Sequence, residues 1–342
     1  SVIKDAAAAA VYGARAAYGV ILVTTKSGSS DDAKATIRYS GRLGWETPTT
    51  STDYETTGYW TAQIVNTFWS ASNGGKYLNY SDYDMGQLLA RVNDKTEHPD
   101  RPWVVTETVN GREQWKYYGN TDWYHSLYND TKPMTQHNIS ISGGNKSVKY
   151  YLSGGYESQR GVIKVNPDRF NKYNMRSKID VQLAKWAKLT NNTSFYSSTY
   201  DYNGVGSVEN AFAYGARHAL ACFPLTNPDG SWVYSTPYTS YKVANGRHAI
   251  YGNGNNVNIH RKSDFANTTE LVLTPIKPLS ITANFTYRLH QNRNTNRSTN
   301  FYYREYPNAE LGVYNSGAGE NSLTETVDTW SYKAANVFAT YK

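Results

Sequence analysis

Long runs of alternating residues dominate this chain and restrict it to a β-sheet with one wet face and one dry face. Ile37, Tyr39, Gly41, Leu43 and Trp45 alternate with Thr36, Arg38, Ser40 and Arg42, so every charge of that segment lies on one side. The pattern returns at Val148, Tyr150, Leu152, Gly154 and Tyr156, at Tyr173, Met175, Ser177, Ile179, Val181 and Leu183, and at Leu279, Ile281, Ala283, Phe285, Tyr287 and Leu289. These segments run about 10 to 15 residues, against the five or six usual in globular sheets, and can cross a bilayer at a tilt. The opposite face reads Lys172, Asn174, Arg176, Lys178, Asp180, Gln182 in one strand and Ser280, Thr282, Asn284, Thr286, Arg288, His290 in another. A small soluble barrel fills its interior with apolar side chains, whereas a wide membrane barrel is polar inside and apolar outside. A soluble sheet wetted on one face shows the same alternation.

The connections come in two sizes. Gly143-Gly144-Asn145-Lys146, Ala184-Lys185-Trp186-Ala187 and Thr274-Pro275-Ile276-Lys277-Pro278 are tight turns, while 46–136, 200–262 and 291–327 are long loops rich in Gly, Asn, Tyr and Ser. Short turns at one end and long loops at the other are what an outer-membrane barrel shows at its periplasmic and extracellular rims. Within the second loop, Ser207 can cap a short helix from Val208 to Leu220 that ends before Pro224.

Composition agrees with an interfacial, β-rich protein. The chain has 31 Tyr and 9 Trp against 3 Met, and such rings favour surfaces where one end is dry and the other wet. The formal charge is +7, but Lys and Arg are scattered singly among Asp and Glu, so no basic block marks a nucleic-acid partner. Cys222 is alone, which excludes an internal disulfide and any CxxC motif, and is read as an inert small apolar residue. No run approaches the roughly 20 apolar residues of a membrane helix, although a membrane barrel hides its apolar face in alternate residues.

Catalytic chemistry finds no support. The histidines at 98, 125, 137, 218, 248, 260 and 290 show no HxxH, HExxH or HxH spacing, and neither GxSxG nor a P-loop occurs. Asp82 and Asp84 flank Tyr83 without EF-hand spacing and read as a solvated turn. No catalytic residue, metal ligand or cofactor is therefore expected.

The first 28 residues differ from the rest. Asp5 can cap a helix built on the Ala6–Ala10 run, Gly13 can take the left-handed C′ position, and Val20 to Thr24 reads as a strand covered on both faces. Ser27 to Asp32 is a polar linker. Because Ser1 opens inside a helical pattern, the chain is expected to be part of a longer protein.

This opening resembles the end of the plug of SusC/RagA-type TonB-dependent transporters: Lys4, Asp5, Tyr12, Gly13, Arg15, Ala16, Ala17, Gly19, Val20, Ile21, Thr24, Thr25, Lys26 and Gly28 stand where that motif has them. Tyr18 replaces the more usual Asn. A second stretch is similar to the family's first hairpins: TDWYHSLYND at 121–130, then 137–163 with its Ser-Gly-Gly turn, then 169–196, with Pro224 and Asn227-Pro228-Asp229-Gly230-Ser231 matching a family loop.

The resemblance implies residues 1–28 as the end of a plug domain, 29–34 as a linker, and 35–342 as the N-terminal part of an antiparallel transmembrane β-barrel of about 22 strands. It implies import of an oligosaccharide, or next a peptide, across the Gram-negative outer membrane, energised by TonB and capped by a SusD-like surface lipoprotein. The other barrel strands, most of the plug and the TonB-contacting segment would come from sequence outside this chain. Lys4 and Arg15 would either pair with acids of the barrel wall as a latch or stand as solvated charges in a polar lumen, and Ala6–Ala10 and Gly13 would allow close packing of the plug. Sugar stacking would use loop rings such as Trp69, Tyr77, Tyr80, Trp115, Tyr117, Tyr118, Tyr200 and Tyr202, which otherwise pack the loops. The competing readings are a secreted β-rich carbohydrate-binding module and a β-rich glycoside hydrolase, the latter requiring a carboxylate pair in a cleft.

Overall fold

A computed structural model describes residues 2–3, 20–21, 26–28, 34–49, 51–203, 216–314 and 321–342. Lys4, Asp5, Tyr12, Gly13, Arg15 and Gly19 lie outside the described residues, as does most of the expected helix from Val208. At the opening, β1 (Val2–Ile3) and β2 (Val20–Ile21) pair antiparallel.

The alternating segments form one antiparallel sheet. Its strands are β3 (Thr36–Glu46), β6 (Lys132–Gly144), β7 (Val148–Arg160), β8 (Arg169–Ala184), β9 (Ala187–Tyr202), β10 (Val257–Ile276), β11 (Leu279–Ser298) and β14 (Ser322–Tyr341), hydrogen-bonded in that order. The three tight turns join neighbours at one end. Asn145 shapes the first, its Oδ1 accepting from the backbone of Ser147 at 2.8 Å and Val148 at 2.9 Å. Lys185-Trp186 and Lys277-Pro278 make the others, and Pro278 gives up a donor only where the ladder has ended.

Strands reach further into the expected loops than alternation indicated. β10, β11 and β14 are each 20 residues long, and β10 starts at Val257, β11 runs to Ser298, and β6 starts at Lys132. The added ends, such as Asn258-Ile259-His260-Arg261-Lys262, are largely polar on both faces. They have no apolar period to reveal them, and pairing alone holds them extended.

From β3 to β11 register divides the sheet into two faces, while β14 departs from it, with Lys333 opposite Tyr287 on the apolar side and Phe338 opposite Thr282 on the polar side. Lys172 of β8 stands opposite Glu157 and Ser198, and Thr286 opposite Thr268, so the charged and hydroxyl residues share one face from strand to strand. The other face carries Ile139, Leu152, Met175, Phe195 and Phe285, which are 38 to 63% exposed. Rings without cover on a face of this size call for lipid rather than water. Four polar residues on it, Asn191, Thr193, Asn267 and Thr269, satisfy one another: Asn191 donates to Thr269 at 2.8 Å, Asn267 to Thr193 at 2.7 Å, and Thr193 to Asn191 at 2.9 Å. Self-pairing is what a polar group facing hydrocarbon requires.

Beyond the other end of the sheet, the three long connections knit into a cap. The first carries α1 (Gly58–Asn73), α2 (Asp82–Ala90), the hairpin β4 (Val104–Val109) and β5 (Arg112–Tyr117), and α3 (Trp123–Leu127); the second carries α4 (Arg247–Asn253); the third holds β12 (Phe301–Tyr303) and β13 (Gly312–Tyr314). Backbone bonds tie the first two together, Gly119 to Cys222 at 3.0 Å, Thr121 to Ala221 at 2.9 Å and Asn79 to Tyr238 at 2.8 Å. A parallel bridge from Trp232 to Tyr303 brings in the third. Cap residues such as Leu78, Leu88, Tyr117, Tyr118, Cys222 and Phe223 are buried almost completely, so the largest dry core lies here and not within the sheet.

Candidate substrate-facing site

The chain leading into the barrel strands lies on the polar side of the sheet. Lys178, on the polar face of β8, donates to Ser27 Oγ at 2.8 Å. A Cβ on Gly28 would stand 2.6 Å from the backbone N and O of Tyr150, so only glycine fits that approach. Lys26 helps line a depression of about 670 Å³ on the same face, with Arg38, Asn138, Tyr151 and Asn174.

Three successive rows on this face form the strongest candidate for contact with a passing solute. The row nearest the cap runs Phe170, Tyr200, His260, Asn294; the next runs Lys172, Ser198, Lys262, Asn292; the third runs Asn174, Tyr196, Asp264, His290, Trp330. Phe170, Tyr196, Ser198, Tyr200, His260 and Lys262 line a depression of about 440 Å³. Its aromatic wall is fixed from behind. Tyr202 stacks on Tyr200 with centroids 5.3 Å apart and on His260 at 6.2 Å, and Asn258 donates to its hydroxyl at 2.6 Å. Tyr200 donates to Asp168 at 3.3 Å, and His260 Nδ1 meets Asn294 Oδ1 at 2.9 Å.

The third row is an ion network. Asp264 takes Arg288 through both oxygens at 2.6 to 3.1 Å and His290 Nδ1 at 3.1 Å, while Arg288 and His290 both lie against the Trp330 ring, 5.2 Å from its centroid in each case. Lys172 is paired with Glu157 at 2.5 Å, but Lys262 has no ion pair among the described residues. The surface therefore offers ring faces, amide and hydroxyl groups and one uncommitted cation, a set suited to holding a polar solute and lacking a nucleophile poised beside a base.

The sequence-expected rings divide into two groups. Tyr200 and Tyr202 belong to this polar face. Tyr77, Tyr80, Trp115, Tyr117 and Tyr118 are at most 6% exposed and lie in the cap core. Tyr80 donates to the Tyr117 carbonyl at 2.7 Å, Tyr117 to Asn227 at 2.8 Å, and Tyr118 to Asp84 at 2.7 Å, so their hydroxyls are committed. Trp69 packs edge-on against Tyr77 and Tyr241, and the Tyr77 hydroxyl meets His218. Phe170, Tyr196, His260 and Lys262 lie beside Tyr200, outside the sequence-expected set. Parity with Tyr200 and Tyr202 marks Tyr196, but His260 and Lys262 fall in a stretch read as loop.

Asp84 corrects the expectation of a solvated turn. It is the N3 residue of a capping box with Ser81 at the start of α2, 4% exposed, accepting from Ser81 and Tyr118 with Lys116 at 3.7 Å. Burial opposes its charge, but these hydrogen bonds and Lys116 outweigh it and hold its carboxyl below the usual range. Cys222 is fully buried, and desolvation pushes its thiol up to about 12, which leaves it inert as expected. Among the described residues no cluster of three His, Cys, Asp or Glu could hold a metal.

No family model matches the chain. It is 29% identical over 239 residues to a TonB-dependent receptor, P26, of Formosa agariphila, and 28% identical over 166 residues to the TonB-dependent receptor SusC of Bacteroides thetaiotaomicron. Those alignments cover 68% and 48% of this chain but 19% and 12% of the relatives. The whole chain superposes on 43% of a chain in the open-open structure of the RagAB peptide importer, with a TM-score of 0.60 at 18% identity. These likenesses support a fragment of a SusC/RagA-type TonB-dependent receptor. The long antiparallel sheet is thus part of a transmembrane β-barrel, its uncovered apolar face turned to lipid. No helix among the described residues is long and apolar enough to cross a membrane. SusC/RagA-type proteins are outer-membrane receptors and importers, and catalysis is no part of this assignment.

Proposed function

We propose that this chain provides the end of the plug (1–28), a linker (29–34), and wall and extracellular cap (35–342) of a TonB-dependent importer. It takes up an oligosaccharide across the outer membrane in partnership with a SusD-like surface lipoprotein. The observation that carries this is the Lys178–Ser27 bond, which puts the segment before the wall on the polar side of the sheet, where a plug must sit. Cargo entering past the cap meets the Phe170, Tyr200 and His260 row, whose rings suit the apolar side of a pyranose and whose neighbours Asn294 and Lys262 suit hydroxyl oxygens. In the plug, Lys4 and Arg15 form a breakable latch with wall acids. Glu270 is an acid on the polar face that makes no ion pair among the described residues.

A peptide is the second reading, supported by the likeness to the RagAB peptide importer. Uptake of labelled oligosaccharides and oligopeptides by cells carrying the intact receptor, its lipoprotein and TonB separates the two. Oligosaccharide entry that stops without TonB and falls about tenfold in Tyr200→Ala is expected; entry of peptides alone would overturn the cargo, and TonB-independent entry would overturn the import reading.

A further inference from the structure

In four strands the lipid face changes character through the same three steps on approach to the cap. β7 runs Tyr156, Ser158, Arg160; β8 runs Tyr173, Asn171, Arg169; β10 runs Phe265, Ser263, Arg261; β11 runs Leu289, Gln291, Arg293. Each places a large apolar or aromatic side chain, then an uncharged polar one, then an arginine, at intervals of two residues and so on one face; in β10 Ile259 follows beyond the arginine. Pairing sets Tyr156 opposite Tyr173, Arg160 opposite Arg169, Phe265 opposite Leu289 and Arg261 opposite Arg293.

The spacing puts these arginines at a definite depth. From Ile281 to Leu289 the apolar side of β11 climbs roughly 27 Å along the strand, or about 20 Å along the membrane normal at the usual tilt. Arg293 lies about 10 Å higher, where hydrocarbon gives way to headgroups. The Tyr156 and Tyr173 rings, 5.0 Å apart, mark the interfacial girdle beneath Arg160 and Arg169.

All four arginines are exposed, and like charges directly opposite on adjacent strands repel. Two acids share the surface: Asp201 is opposite Arg169, and Glu325 accepts from Arg293 at 2.7 and 2.9 Å. Arg261 reaches Thr295 at 3.3 Å, and Arg160 and Arg169 make no ion pair among the described residues. Below Arg160 and Arg169, the lipid face dips into a depression of about 400 Å³, floored by Gly154 and Ser177 and walled by Ile139, Leu152, Met175 and Phe195. Gly154 is six residues from Arg160, about 20 Å down the strand, within the length of an acyl chain.

We propose that Arg160, Arg169, Arg261 and Arg293 form a collar that binds the phosphate-bearing headgroup of an outer-leaflet glycolipid, one of whose acyl chains lies in the depression over Gly154. Guanidinium groups match phosphate oxygens in a fork, and an anion placed among these arginines relieves their mutual repulsion. The inference rests on the transmembrane orientation of the sheet and not on the identity of the cargo.

The test uses the intact receptor in detergent micelles, titrated with diphosphoryl lipid A or the same lipid stripped of phosphate, with retained lipid counted by native mass spectrometry. Wild type should retain the diphosphoryl form at least tenfold better. Arg160→Gln/Arg169→Gln and Arg261→Gln/Arg293→Gln should each cut that preference severalfold, while Lys185→Gln at the opposite rim leaves it intact. Using two pair variants keeps the test open should the fourfold variant fail to fold. Equal retention of both lipids, a preference untouched in both pair variants, or displacement by millimolar inorganic phosphate irrespective of acyl chains would overturn the lipid site. Cargo uptake by the pair variants stays at the wild-type level, so failure here is distinguishable from failure of the import reading.

Discussion

Single side chains hold the cap together. Asn120, 8% exposed, accepts from Gly58 N at 2.7 Å and donates to the carbonyls of Arg91 at 2.6 Å and Asp94 at 2.9 Å, joining the start of α1 to the end of α2. Asn120→Ala strands those groups in a dry site and should lower cap stability by about 2 to 4 kcal/mol. Faster hydrogen exchange across α1 and α2 would show it, and unchanged exchange would remove Asn120 from this role. His248, 2% exposed between the rings of Trp123 and Trp232, is held down to about 4 by desolvation, which outweighs the backbone groups of Val233 and Leu225. The unfolded chain binds the proton near 6.5 and the folded one does not, so stability is complete above pH 6.5 and falls as pH drops toward 4. The loss is on the order of 3 kcal/mol. Cap melting followed from pH 7.5 to 4.5 should show this slope, and His248→Phe should flatten it; an equal slope in both proteins would assign the effect to other groups.

Among the elements, the strands are tested by their two faces. Phe285→Lys puts a cation into the lipid face of β11 and should cost about 2 to 4 kcal/mol in folding from urea into lipid vesicles, whereas Thr282→Lys, on the polar face, should cost less than about 1 kcal/mol. Equal costs would mean that β11 does not separate lipid from lumen. Alternation made these central stretches legible from Ile37, Ile179 or Phe285 alone, because each side chain there obeys its face. It failed at the strand ends, where Asn258 to Lys262 and Gln291 to Arg297 offer no dry side to count. The helices stayed hidden for another reason. α1 begins at Gly58 with no side-chain cap and no acidic first turn, so its local sequence carries none of the usual start signals. The capping box of α2, Ser81 with Asp84, was present to be read, and the flanking Asp82 disguised it as a charged turn.

At the scale of the molecule, the long connections act as one body laid over a wall. That explains why a sequence so rich in tyrosine keeps most of its fully buried rings outside the sheet. Tyr117, Tyr118 and Tyr80 fill the cap, where three segments far apart in sequence converge, and no local pattern announces such convergence. Tyr200 and Tyr202 differ because they end a strand and inherit its polar side. The same division sets the most direct test of the account. Nitroxide labels at Ile179 and Phe285 on one face, and at Arg176 and Thr282 on the other, can be compared in the intact receptor in lipid bilayers by their collision rates with oxygen and with a water-soluble nickel chelate. Oxygen should dominate at Ile179 and Phe285, and nickel at Arg176 and Thr282; the reverse, or nickel access at all four, would contradict a wall with lipid on one side and a plugged polar channel on the other.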